Sequence, residues 1–494
     1  VSLNTIGSNG FAFRREKTKD NKTYLNVNTH QPLEGPFAWY EAHMVSEQGW
    51  NMLGGLFPGS PFPFIGTNEN LGWTHTYNYP DLIDLFQLEM HPRKKYQYKF
   101  DGQWVKLNKS KAKLKVKLKS GIVLPIRKKV LWSKYGPVVK NDSGSFTFRS
   151  NAFENISSID QWYKMNKASN FNEFKAALEI IGVPRFNVIY ADKNDNIFYL
   201  SNAKLPVRDT LFKWDELLPG NTSKTLTNSF HKLSDLPQLL NPSKGYLFNT
   251  NNSPFNCTHS EDNLLKENYS STFSYRENLN NRSLRFEELI EQYDKISYED
   301  FKRIKYDQQY PTPIFCPFEV NGVFELNPLD YPELASLINI IQKWDRRANV
   351  TSLGSTQWSV YYKHLKKSVK KLNLNEELPI EDSILIKSLT YTHEYLFKNF
   401  NKIEVLHGEF QKHVRGDVEL GVPGLVDMIA ATSSRKHKDG MVKAVSGDSY
   451  IMLVRYGNET VEIETVLPYG ISNRPDSPHY TDQMNLYVNQ QRKK

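Results

Sequence analysis

Near the start of the chain stands Gly7-Ser8-Asn9, a serine directly after a small residue. If cleavage frees its amino group, such a serine carries nucleophile and base on one residue. A free α-amine titrates near pH ~8, so part of it is neutral around pH ~7 and accepts the hydroxyl proton directly or through a water. By itself the signal is weak, since any serine near a chain start qualifies. Other chemistries lack their motifs. The chain has no G-x-S-x-G elbow, no HExxH, no P-loop and no GxGxxG after a strand. None of its 12 histidines pairs with another at metal-ligand spacing.

The elements that must position this serine read mainly as sheet. Ser8–Phe13 alternates, and Thr23–Val27, Phe37–Val45, Leu71–Tyr77 and Leu82–Met90 are further strand candidates. Gly55–Gly66, rich in glycine and proline, predicts an ordered loop near a pocket. Residues 95–150 predict successive hairpins. Within them Lys111–Ser120 alternates lysine with apolar residues, which suits a strand with one solvated face or a polyanion- or membrane-binding strip. Helical patterns cover 159–167 and 171–181, and a hairpin follows with its turn at Lys193–Asn196. Residues 283–410 are mainly helical, near 285–293, 332–345, 356–370 and 381–398, and strands return at 441–467. With no internal repeat, the strands at both ends are expected to share a sheet, and the helical stretch is expected to be an insertion.

Composition narrows the function classes. The 39% hydrophobic and 24% charged residues are an ordinary globular balance, and 13% aromatics suit large sheets and apolar pockets. A net charge of +9 with no helix-turn-helix, zinc-finger or ribonucleoprotein motif gives no support for a nucleic-acid partner. No apolar run reaches the roughly 18 residues of a membrane span. Cys257 and Cys316 form no CxxC pair, leaving one disulfide or two thiols open. No basic-then-apolar leader is visible in residues 1–20, and the abrupt opening on VSLNTIG reads as a fragment of a longer precursor.

Beyond Ser8, several motifs follow in a fixed order. They are NTHQPLEGPFAWYEAH (Asn28–His43), GTNENLGWTHTYNYPDLIDLF (Gly66–Phe86), RFNVIYADKNDNIFY, NPSKGYLFNTNNSP (Asn241–Pro254), VSGDSYIMLV and SPHYTDQ (Ser477–Gln483). This order resembles the nucleophile-bearing β subunit of the penicillin acylase family, which includes N-acyl-homoserine lactone acylases and cephalosporin acylases. The resemblance covers nearly the whole chain, most specifically residues 8–90 and 240–290.

The resemblance implies roles position by position. Ser8 matches the N-terminal nucleophile that attacks an amide carbonyl. His30 matches a histidine beside the nucleophile in acyl-homoserine lactone and cephalosporin acylases, where enzymes close to penicillin G acylase have glutamine. Tyr77 matches the residue whose backbone N–H forms half of the oxyanion hole, though the family usually has a smaller side chain there. Asn251 matches the side-chain oxyanion donor, and Arg282 an arginine that supports it. Gln31, Ile65 and Phe186 match the acyl pocket, with Trp39 or Phe57 near, and Gln31 stands where several relatives have an aromatic. Asp81, Asp84 and Asp262 match ligands of a structural Ca²⁺, against the alternative of a helix cap and solvated carboxylates. No cofactor for catalysis is implied.

The implied fold is α+β, the four-layer αββα sandwich of N-terminal-nucleophile (Ntn) hydrolases with a helical insertion at about 283–410. Residues 1–7 read as a residual linker or pro-segment, and 8–494 as the catalytic β subunit. Because an amine seven residues upstream cannot serve Ser8, autocatalytic cleavage between Gly7 and Ser8 is expected. An α subunit from the same precursor is the expected partner, and export to the periplasm or another extracytoplasmic space is expected by analogy. The implied reaction is hydrolysis of a linear amide in an acylated small molecule, with N-acyl-homoserine lactone first. A β-lactam or acyl-peptide acylase is the nearest alternative, and a catalytically silent binding protein on the same fold is a further one.

Overall fold

The computed structural model describes residues 7–150, 156–277, 279–372 and 380–494. Residues 1–6 of the expected pro-segment lie outside these.

Alternation builds the centre of the molecule. Strand β1 (Gly7–Phe13) is buried along its whole length. It lies antiparallel between Tyr246–Asn249 and strand β2 (Thr23–Pro32), with Phe11 opposite Phe248 on one side and Asn26 on the other. β2 pairs in turn with Val442–Tyr456, so strands from both chain ends share one eight-stranded sheet. A second sheet of seven strands contains Leu71–Thr76 beside Asn187–Asp192, which returns as Ile197–Ser201 through the expected turn. The two sheets face each other across a core of Ala12, Leu25, Val27, Ile189, Tyr199 and Met452, all fully buried.

Helices cover both outer faces. Helix α1 (Ser158–Lys167) and helix α2 (Phe171–Leu178) lay Met165, Phe174 and Leu178 on Trp73, Val188 and Tyr190 of the second sheet. Helix α3 (Asn281–Ile290) begins at Asn280, whose side chain accepts from the Ser283 N–H. Its apolar stripe Phe286, Leu289 and Ile290 covers Phe11, Phe13 and Phe248 of the first sheet, with Phe286 stacked 4.5 Å from Phe11. Truncating Phe286 to alanine costs about 3–5 kcal/mol on the general scale for buried phenylalanines. Helix α4 (Tyr298–Lys305), capped by Ser297, completes this layer with Phe301 and Ile304. The order of layers is therefore α, β, β, α, as the resemblance implied.

The stretch 283–410 divides in two. Its first two helices belong to the sandwich. Helices α5 (Ala335–Gln342), α6 (Ser355–Leu372) and α7 (Asp382–Phe400) instead gather Leu337, Ile341, Trp358, Tyr361 and Leu389 into a core of their own. Cys257 and Cys316 are free thiols. Among the described residues no helix is long and apolar enough to cross a membrane.

Candidate active site

Ser8 lies on β1, almost fully buried. Its hydroxyl donates to the Gly7 carbonyl at 2.6 Å, and its N–H donates to Asn251 Oδ1 at 2.8 Å. Asn251 follows the strand Tyr246–Asn249, in a left-handed conformation with φ +73° that asparagine tolerates well. The asparagine-rich run folds this way because Asn249 Oδ1 accepts the Asn251 N–H at 2.9 Å and Asn252 Oδ1 accepts the Thr250 N–H at 2.7 Å. Asn251 Nδ2 donates to the Tyr77 carbonyl at 3.0 Å, which ties the expected oxyanion residues together.

Arg282, in the first turn of α3, braces this arrangement. One of its terminal nitrogens donates to Asn251 Oδ1 at 3.1 Å, and the other to the Ser8 carbonyl and Asn9 Oδ1, both at 2.9 Å. Its Nε donates to Asp427 at 3.0 Å. Asn251, Arg282 and His30, three residues expected from sequence, thus surround the Gly7–Ser8 peptide, and Tyr77 is tied to them through Asn251. The close approach at Gly7 marks the spot: a β-carbon there would stand 3.0 Å from Asn251 Oδ1, 3.3 Å from Arg282 Nη2 and 3.3 Å from His30 Nδ1.

A bulge between Thr29 and His30 re-aims the imidazole at the end of β2. His30 Nε2 faces two acceptors, Asp448 Oδ1 at 3.1 Å and Asn28 Oδ1 at 3.2 Å, while Asn9 Nδ2, 3.3 Å away, directs its hydrogens to Asn28 Oδ1 and the Ile429 carbonyl. A carboxylate only accepts, so this nitrogen carries the proton and Nδ1 keeps a lone pair toward Gly7. Burial pushes His30 down to about 4, against the pull of Asp448, so the ring is neutral near pH ~7. Burial pushes Asp448 up, but Lys305 and His30 outweigh it and hold the carboxyl below its ordinary value. Lys305 Nζ, with no exposed side-chain surface, donates to Asp448 Oδ2 at 2.8 Å. Asp448 sits in VSGDSY, a motif visible in sequence, whereas nothing local distinguishes Lys305 from other lysines.

Tyr77, Asn251 and Arg282 line a cleft of about 1870 Å³. Small-molecule sites usually measure roughly 300–1,000 Å³, so this one has room for ligand and a further chain segment. On its wall the Arg185 guanidinium stacks 4.0 Å above the Tyr77 ring. Phe186 packs against His75 and Tyr77. Its φ of +101° is strained for a bulky residue, and its N–H is held by Asn78 Oδ1 at 3.1 Å. Ile65 is placed in the inter-sheet core rather than on the cleft wall. Gln31 is half-buried on β2, its N–H donating to Ser449 Oγ. Trp39 and Phe57 pack together at 4.4 Å, and Phe57 continues onto Phe64 and Trp162.

The carboxylates expected to hold Ca²⁺ do not fit that ion. The Arg208 guanidinium lies between two of them, 2.7 Å from Asp84 Oδ1 and 3.2 Å from Asp81 Oδ2, with its side chain buried. A fixed cation already occupies the space between them and balances one of the two charges. Asp262 instead accepts from Ser243 Oγ and the Lys244 N–H. Among the described residues no group of three or more His, Cys, Asp or Glu side chains is placed to hold a metal ion.

Comparison with known proteins gives the family and the fold. The family model described as penicillin amidase matches residues 2–494. The acyl-homoserine lactone acylase PvdQ of Pseudomonas fluorescens (strain Pf0-1) is 24% identical over 542 residues, covering 98% of this chain and 68% of its own length. Penicillin G acylase of Escherichia coli is 26% identical over 259 residues, covering 50% of this chain and 29% of its own. In fold, the chain is similar to the thermostable penicillin G acylase from Alcaligenes faecalis, with a TM-score of 0.70 at 18% identity, over 98% of this chain and 95% of that one.

Proposed function

This chain belongs to the penicillin amidase family, and we propose that it is the nucleophile-bearing part of a self-processed N-terminal serine amidase acting on an N-acylated small molecule. The observation that carries this reading is the convergence of Asn251, Arg282 and His30 on the Gly7–Ser8 peptide. Ser8 Oγ attacks the Gly7 carbonyl carbon, the peptide nitrogen leaves as the Ser8 amine, and water hydrolyses the resulting ester. The freed amine then serves Ser8 as base. In turnover Oγ attacks the substrate amide, and the Asn251 amide and the Tyr77 N–H receive the developing oxyanion. The leaving amine takes a proton, and water releases the acyl group. His30 Nδ1 lies beside this bond and orders the amine. Residues 1–7 act as the pro-segment and 8–494 as the β subunit. An α subunit from the same precursor fills part of the cleft, and the mature enzyme works outside the cytoplasm.

N-acyl-homoserine lactone is the first substrate to test, because His30 is present and PvdQ matches 98% of the chain. A β-lactam side-chain amide is second, favoured by Arg185, a cation on the cleft wall suited to a carboxylate. The test is hydrolysis of both amide classes by the protein matured from its complete precursor. Asn251→Ala is expected to lower kcat by about 100- to 1,000-fold. Equal turnover by wild type and this variant contradicts the oxyanion role. No turnover of any acyl amide by a correctly cut enzyme favours a silent binding protein on the same fold.

A further inference from the structure

The lysine-rich segment serves no role in the site described above. Among the described residues Asn108–Lys117 and Val123–Trp132 form a two-stranded sheet of their own, with one bridge from Trp132 to Pro137 at its base, a ribbon about 33 Å long at the usual rise per residue. Residues directly opposite in an antiparallel pair share a face. The register sets Leu114 against Ile126 and Val116 against Leu124, and Leu118 bonds to Ile122 through the backbone beyond them. These six large apolar side chains are 39–59% exposed. The other face carries Lys111, Lys113, Lys115, Lys117, Arg127 and Lys129. No Asp or Glu occurs between Gly102 and Asn141. Tyr96 ties down the base, under Lys109 Nζ at 3.8 Å and bonded to Lys129 Nζ at 3.3 Å.

Lysine on a free edge guards against strand pairing, which accounts for the cations but not for the apolar face. A polyanion would cover the cations and leave six apolar side chains in water. An anionic lipid surface satisfies both faces at once: apolar side chains enter the boundary between headgroups and acyl chains, and the cations are drawn to the surface potential. We propose that this ribbon seats the protein on an anionic lipid surface.

The test is co-sedimentation of the protein matured from its complete precursor with phosphatidylcholine vesicles, with and without phosphatidylglycerol at about one quarter of the lipid. Binding is expected to the anionic vesicles only and to weaken with salt. The double variant Leu114→Ser/Ile126→Ser, and separately Lys113→Gln/Lys115→Gln, are each expected to lower partitioning at least tenfold, with amide hydrolysis and the melting temperature unchanged. Exposed positions tolerate such changes. Three outcomes overturn the proposal. The folded protein binds neither vesicle; or the serine variant binds as wild type while heparin competes, which assigns the strip to a polyanion; or the serine variant abolishes a dimer instead, which assigns the face to a second copy.

Discussion

At the residue scale, the chemistry rests on which nitrogen of His30 holds the proton. Asp448 fixes that choice, and Lys305 fixes Asp448. An asparagine at position 448 can donate to Nε2 and move the proton to Nδ1, which removes the lone pair facing Gly7. Asp448→Asn is therefore expected to lower kcat by roughly 100-fold, the lower end for a lost proton-transfer partner, with little change in KM. It also leaves the Lys305 ammonium unpaired, and breaking a buried pair costs about 3–5 kcal/mol, so the melting temperature must be followed beside the kinetics. A folded variant with kcat within twofold of wild type contradicts the orienting role. Ser8, His30, Tyr77 and Asn251 stood out because each lies in a short motif of recognisable order, and Arg282 by its match to an arginine of the family. Asp448 stood within such a motif without a role, because its partner on β2 is remote in sequence. Lys305 was illegible, since only folding reveals that one lysine among 63 basic residues is buried.

At the element scale, β1, β2, Leu71–Thr76, Asn187–Asp192, Val442–Tyr456 and helices α1 and α2 follow from periodicity, while Trp50–Leu56, Tyr246–Asn249, Gln411–Arg415 and α4 were missed. Its eight residues YEDFKRIK show few apolar positions, although Ser297 and Asp300 form the cap that marks a helix start. Ile65 reads as a pocket residue by motif, yet its strand turns that side chain into the inter-sheet core. Asp81 and Asp84 read as Ca²⁺ ligands because the resemblance implies it, and the arginine that reaches them lies far along the chain. The consequence is measurable. Chelation with EDTA is expected to leave the melting temperature unchanged, whereas Arg208→Ala is expected to cost about 3–5 kcal/mol by leaving buried carboxylates uncompensated. A loss of stability in EDTA that Ca²⁺ restores contradicts this account.

At the scale of the whole molecule, buried histidines set the pH range of the fold. His30, His75, His407 and His413 are each pushed by burial from 6.5 down to about 4. Below pH ~6.5 the unfolded chain takes up protons that the folded chain refuses, so stability falls as pH drops toward about 4. The limit is about 1.4 kcal/mol per pH unit for each histidine. Asp84, pushed up to about 6 by burial, and Asp81 and Glu287, also raised by burial, work the other way over part of this window but are three groups against four. Melting temperature is expected to be flat above pH ~7 and to fall between about pH 6.5 and 4. A flat profile throughout contradicts the burial of these rings. Whether Ser8 is a nucleophile made by self-cleavage is decided by intact mass and N-terminal sequencing of the complete precursor after expression, beside a Ser8→Ala variant. A wild-type fragment beginning at Ser8 is expected, with a variant that stays whole across the Gly7–Ser8 bond. If both remain whole, or both are cut at that bond, the self-processing serine amidase is contradicted.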